Sequence, residues 1–215
     1  MIIRKYQKKD RQEVENIHFE TGFLGKSMDT LLSRRQEWKK NIKYYLDNEP
    51  ESAFVVEQDK KVVGYLLGCL DDSRNNETKE VIITMLINNL KAFFLPRKDR
   101  LFWRSQLKAL YLAAIKKSGD RDFKTPKSAG HMHINFINDY RGKGAGTKLL
   151  KAFLAYAKSK SVKKIHADSF QTDLNPNNNF WRKNGFYEYS SVITQFWKSQ
   201  YPNKKIRLVC YVKEI

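Results

Sequence analysis

Cysteine is scarce in this chain of 215 residues: only Cys69 and Cys210 are present, far apart. That excludes a disulfide framework and fits a reducing, cytoplasmic compartment with both thiols buried. Long apolar runs are missing as well, and none reaches the length that crosses a bilayer. The opening MIIRKYQKKDRQEV turns to charge after a very short apolar stretch, unlike a secretory leader. Acidic residues are in deficit, with 23 Asp and Glu against 41 Lys and Arg, a formal charge of +18. Such a balance suits a polyanion: nucleic acid, a membrane surface or a phosphate-rich small molecule. It is equally the balance of a protein with solvated lysine faces. Of these partners a membrane is not expected. Internal repeats and flexible linkers are also lacking. What is present is 41% apolar and 13% aromatic, enough for one sizeable core.

Periodicity divides the chain into alternating elements. IIRKY at 2–6 reads as a strand, followed by a helix that Asp10 can cap. TGFLGKS at 21–27 is a loop, and residues 28–46 carry a second helical pattern. AFVVEQ and KVVGYLLGCL form a hairpin turning at Asp59-Lys60, with Gly64 and Gly68 marking a bulge or a close backbone approach. Residues 71–128 are an insert with two helical patterns, at about 80–94 and 101–117, separated by Pro96. Its basic residues interleave with Phe93, Phe94, Phe102, Trp103 and Tyr111, a pattern of nucleic-acid binders or of a helix pair packing its aromatics inward. HMHINFI at 131–137 is a strand, 147–158 a strong amphipathic helix and VKKIHADSF another strand. Asn175-Pro176 starts a short helix that ends at Gly185, and two strands complete the chain. This order predicts one α/β domain over 1–215 with a sheet of mixed direction.

The stretch YRGKGAGTKLL at 140–150 holds three glycines between strand and helix. A P-loop needs Gly-Lys-Ser/Thr five positions after its first glycine; Thr147 and Leu149 stand at the test positions, so the spacing fails. The dinucleotide pattern fails at Leu149. What remains is Arg141, Gly144 and Gly146 at the start of a helix, where unpaired N–H groups and the helix dipole favour an anion such as a pyrophosphate. Lys143 and Lys148 add charge in the same turn.

INFINDYRGKGAGTKLLKAFLAYAK resembles the acyl-CoA-binding motif of the GNAT superfamily of N-acyltransferases. NPNNNFWRKNGF at 175–186, the hairpin ESAFVVEQDKKVVGYLLG and the opening RKYQKKDRQEV are similar to further segments of that family, so the resemblance covers most of the chain outside 71–128. It implies a largely antiparallel, twisted sheet flanked by helices, with a splayed central strand pair. It also implies acetyl-CoA as acyl donor, held by Phe136, Ile137, Asn138, Arg141, Gly142, Lys143, Gly144, Ala145, Gly146 and Thr147, with Asn175 and Trp181 further on. Asn138 stands where the family often has Pro, and Trp181 where it usually has the Tyr that protonates the leaving thiolate. An indole N–H donates a hydrogen bond but is no usable acid.

Transfer to an amine needs a backbone N–H to polarise the thioester, expected near Phe136 and Ile137, and a base for an amine of pKa about 10.4. His131 and His133 share one strand face with Asn135 and are the candidate catalytic bases; the alternative is a pair of structural histidines. No neighbouring Asp, Glu or Cys in sequence completes a metal site, and none is expected. Asp168 and Glu51 are weaker acid–base candidates, and Tyr187 and Tyr189 read as core tyrosines. The leading reading is thus an acetyl-CoA-dependent N-acetyltransferase whose amine acceptor the residues do not name. A non-catalytic acyl-CoA-binding module and a basic nucleic-acid-binding protein are the alternatives, and a homodimer is left open.

Overall fold

The computed structural model describes residues 1–74, 77–115, 119–172 and 178–215. Its frame is one seven-stranded sheet in the order β1-β2-β3-β4-β5-β7-β6. The strands are β1 Ile2–Lys5, β2 Phe54–Gln58, β3 Lys61–Cys69, β4 Gly130–Phe136, β5 Lys164–Gln171, β6 Tyr187–Ile193 and β7 Arg207–Glu214. The helices are α1 Arg11–Thr21, α2 Arg35–Lys39, α3 Lys43–Asp47, α4 Glu77–Leu90, α5 Arg97–Ile115, α6 Ala145–Ser159 and α7 Asn178–Lys183. Every neighbouring pair is antiparallel except β4 and β5. The mixed, largely antiparallel sheet is therefore as expected.

The β2–β3 hairpin turns through Asp59 (φ 51°) and Lys60 (φ 61°), whose left-handed pair matches the twist of the strands. A bulge lies in β3 at Val63, beside Gly64 and opposite Val56 and Glu57. Gly64 and Gly68 also serve close approach: a Cβ on Gly64 would stand 2.3 Å from the Phe136 ring, and one on Gly68 2.1 Å from the Phe153 ring.

α6 lays Leu149, Leu150, Phe153 and Ala157 on one side of the sheet, against Phe54, Val56, Leu66 and Met132. On the other side α1 and α3 bury Val14, Ile17, Tyr45 and Leu46 against Val55, Tyr65 and Leu67. The insert joins this second side. Phe102 and Trp103 of α5 and Met85 of α4 pack with Phe19, Met28, Trp38 and Trp197.

Three local expectations are corrected. Asp10 does not cap α1; its carboxylate takes two hydrogen bonds from Arg4, at 2.6 and 2.9 Å, and one from the Gln7 N–H. The helix read over 28–46 is broken into α2, α3 and short 3-10 turns. The break has a cause: the buried carboxylate of Asp99 on α5 captures the N–H groups of Ser33 and Arg34, at 2.7 and 3.2 Å, and holds them out of a helix. The insert aromatics do not all face inward, because Phe93, Phe94 and Tyr111 are exposed. The Asn175-Pro176 helix start lies outside the described residues; the short helix is seen over Asn178–Lys183, and Gly185 ends it at φ 79°.

Candidate active site

β4 and β5 run parallel and pair at Gly130–Ile165 and His131–His166; the ladder stops there, although both strands continue. Beyond that point they diverge and leave a cleft that opens toward the end of β4. On its closed side Ile137 donates its N–H to the Val63 carbonyl at 3.1 Å. An antiparallel ladder alternates, so the N–H and C=O of Ile134 and Phe136 point away from β3 into the cleft. Of the two residues, Phe136 rather than Ile137 thus presents its N–H to the cleft. Arg141 closes the mouth, with Nε donating to the Phe136 carbonyl at 3.0 Å and Nη2 to the Gly25 carbonyl at 3.3 Å.

The glycine turn follows. Asn138 begins a 3-10 turn, and Gly142 and Gly144 adopt φ 75° and 78°, which side chains with a Cβ resist. A Cβ at either would meet no heavy atom within 4 Å, so the strand-to-helix turn faces open space. Gly144 caps α6 without any side-chain hydrogen bond. The N–H groups of Ala145, Gly146 and Thr147 thus start the helix with no acceptor within it, beside exposed Lys143 and Lys148. This concave, cationic, uncapped start fits a pyrophosphate. A Cβ on Gly146 would lie 3.2 Å from the Phe180 ring, so α7 packs directly behind the turn. Next to it Trp181 is buried, stacked on Tyr211 at 5.8 Å, and its indole N–H has no acceptor among the described residues.

The histidines occupy the inner end of the cleft, on the face covered by α1 and α3. His133 is half-buried and touches the Tyr45 ring edge-on at 5.1 Å and the His131 ring at 4.8 Å. His131 is buried, with Nδ1 hydrogen-bonded to the Tyr45 hydroxyl at 2.7 Å. Asn135 donates to the Tyr65 hydroxyl at 2.8 Å, and His18 Nδ1 is hydrogen-bonded to the same oxygen at 3.0 Å.

The fold adds residues that the sequence reading missed. His166, directly beside His131 with ring centroids 4.6 Å apart, lies between Asp72 (3.2 Å from Nε2) and Asp168 (3.5 Å from Nδ1). Burial pulls its pKa down, but the hydrogen bonds to Asp168, Asp72 and Cys210 outweigh that and raise it to about 11. It is therefore a buried imidazolium held by two carboxylates. Burial raises the Cys210 thiol. His131, His166 and Asp168 bring their ligand atoms within 4.8 Å of one another. A trio of potential metal ligands absent from the linear spacing is thus assembled across two strands. Alternation along VKKIHADSF puts His166 and Asp168 on one face, but only the sheet order places that face beside His131.

Glu51 stands apart from this cluster, its carbonyl accepting from Lys5. Tyr187 and Tyr189 are not core tyrosines; both are about half exposed on the edge strand β6. A cavity of about 690 Å³ lined by Lys43, Glu49, Leu70, Lys160 and Val162 opens at the other end of the sheet and takes no part.

Residues 113–186 match the model of the acetyltransferase (GNAT) family. The whole chain is similar in fold to SsHAT, with TM-score 0.65, 22% identity and 99% and 97% of the two chains covered. It is similar also to the ribosomal-protein-alanine N-acetyltransferase of Brucella melitensis (TM-score 0.56, 15% identity, 100% of each chain). Ard1 of Thermoplasma volcanium is a further likeness (0.55, 15% identity, 100% and 97%). No curated protein matches the sequence. Residues 113–186 thus resemble the GNAT acetyltransferase family, and the chain as a whole shares the fold of the solved acetyltransferases. No described helix is long and apolar enough to cross a membrane.

Proposed function

We propose that residues 1–215 act as one catalytic domain that transfers an acetyl group from acetyl-CoA to a primary amine. The observation that carries this reading is the divided β4–β5 pair, with the Phe136 N–H and the uncapped start of α6 facing one cleft. Acetyl-CoA supplies the activated thioester. Ala145, Gly146 and Thr147 bind its pyrophosphate through their N–H groups, with Arg141 and Lys143 beside them. The Phe136 N–H donates to the thioester oxygen as negative charge develops there. His133 takes the proton from the attacking nitrogen, with Tyr45 and His131 fixing its ring. The new N–C bond forms as the C–S bond breaks, and the sulfur leaves as a thiolate. Trp181 can donate a hydrogen bond to that thiolate but no proton. That substitution also favours a second reading, a module that binds acyl-CoA without turnover.

Titration calorimetry with acetyl-CoA tests the donor site. Gly144→Glu puts a side chain and a negative charge into the turn, and affinity is expected to fall at least tenfold, about 1.4 kcal/mol. Unchanged affinity would refute the reading. Release of free thiol over a panel of amines separates enzyme from binding module.

A further inference from the structure

The outward face of α4 is apolar. Ile83, Leu86, Ile87 and Leu90 follow one another at helical spacing and are all exposed. The inward face buries Met85 together with the polar Thr84 (5% exposed) and Asn88 (2%), and Asn88 Nδ2 donates to Glu37 at 3.3 Å and to the Thr84 carbonyl at 2.9 Å. A surface helix normally carries polar residues on its outward face. The stripe runs on into the turn between α4 and α5, where Leu90, Phe93 and Phe94 are 86%, 92% and 91% exposed. On α5, Leu101, Leu110 and Tyr111 are exposed as well.

Its rim is cationic. Lys79, Arg97, Lys98, Arg104 and Lys108 on the two helices and Lys91 in the turn are exposed, against exposed Glu80 on α4, whereas Asp99 is buried under Ser33 and Arg34. This composition distinguishes the occupants. A second copy related by a two-fold axis would bring the same cationic rim against itself. An anionic lipid surface receives the apolar tip and attracts the excess of rim cations. We propose that the α4–α5 hairpin is a membrane-surface docking element, which inserts Leu90, Phe93 and Phe94 below the headgroups of anionic lipid. No spanning helix is needed for this, and the proposal does not depend on the acetyl-transfer reading.

The test is co-sedimentation with vesicles of phosphatidylcholine alone and of phosphatidylcholine with about 30% phosphatidylglycerol. Binding is expected only to the second kind, and is expected to weaken between roughly 0.1 M and 0.5 M salt. Phe93→Ser combined with Phe94→Ser should lower partitioning about tenfold, with circular dichroism unchanged because both rings are already in solvent. A Phe93→Trp variant should shift its added emission to the blue on anionic vesicles. Failure of the wild type to sediment would overturn the proposal. So would equal binding by the serine variant, which would mean lysine attraction alone. A dimer in light scattering that the serine variant dissolves, without vesicle binding, would assign the face to a second copy and also overturn it.

Discussion

His131, His133 and His166 lie in one cluster but do different work. His133 is the half-buried one, at the part of the cleft where the amine would arrive. His133→Ala is expected to lower kcat about a hundredfold while leaving acetyl-CoA affinity within about twofold. The loss should be largest below about pH 8, where an alkylamine is almost wholly protonated. A variant whose kcat–pH profile overlays the wild type would make the residue structural. His166 contributes to stability instead. Its folded pKa, about 11, stands above the model value 6.5. The folded state therefore holds a proton that the unfolded state releases first. Its stabilisation is complete below about pH 6.5 and is lost as pH rises toward 11. The difference in urea midpoint between wild type and His166→Gln should accordingly shrink between those limits. A constant difference would show that His166 carries no folded-state proton.

At the scale of elements, what could be read from residues was whatever local chemistry determines. The seven strands are short β-branched or aromatic runs bounded by turn residues, and each was found where its pattern lies. The glycine turn was legible because Arg141, Gly144 and Gly146 are adjacent in sequence and their spacing excluded the nucleotide loops. The segment 28–46 was misread because its decisive partner, Asp99, is distant in sequence and belongs to another element. Two backbone donors held by one buried carboxylate outweigh a weak helical preference. The same distance hid Asp72 and His166. Asp99→Ala is therefore expected to cost about 1–3 kcal/mol in urea unfolding, because it orphans both N–H groups. Hydrogen exchange at Ser33 and Arg34 should accelerate well beyond that of β3. If exchange there stayed slow, another group would be holding the turn.

For the molecule as a whole, the sheet separates two tasks. α6 and the glycine turn build the donor side, while α1, the loop at 21–27 and the insert build the opposite side. The two meet where Arg141 reaches the Gly25 carbonyl. Phe23 and Leu24 of that loop pack into the cluster that the insert completes with Met85, Phe102 and Trp103. In the proposed reading the insert thus backs the wall on the acceptor side, through its packing with the 21–27 loop. Its ends are close together, because Cys69 and His131 face each other across β3 and β4. A short Gly-Ser connection can therefore replace residues 74–126 and still leave Asp72 on His166. Such a chain should keep acetyl-CoA affinity within about threefold, since the donor N–H groups are untouched. It should melt at lower temperature, because Phe19, Trp38 and Trp197 lose apolar cover worth about 25 cal/mol per Å². The Michaelis constant for the amine should rise more than that for acetyl-CoA, because the 21–27 loop loses its backing. Calorimetry, thermal melts and initial rates over both substrates measure the three effects separately. Loss of acetyl-CoA affinity in a chain that still melts cooperatively would place the insert in the donor site and remove this division of labour.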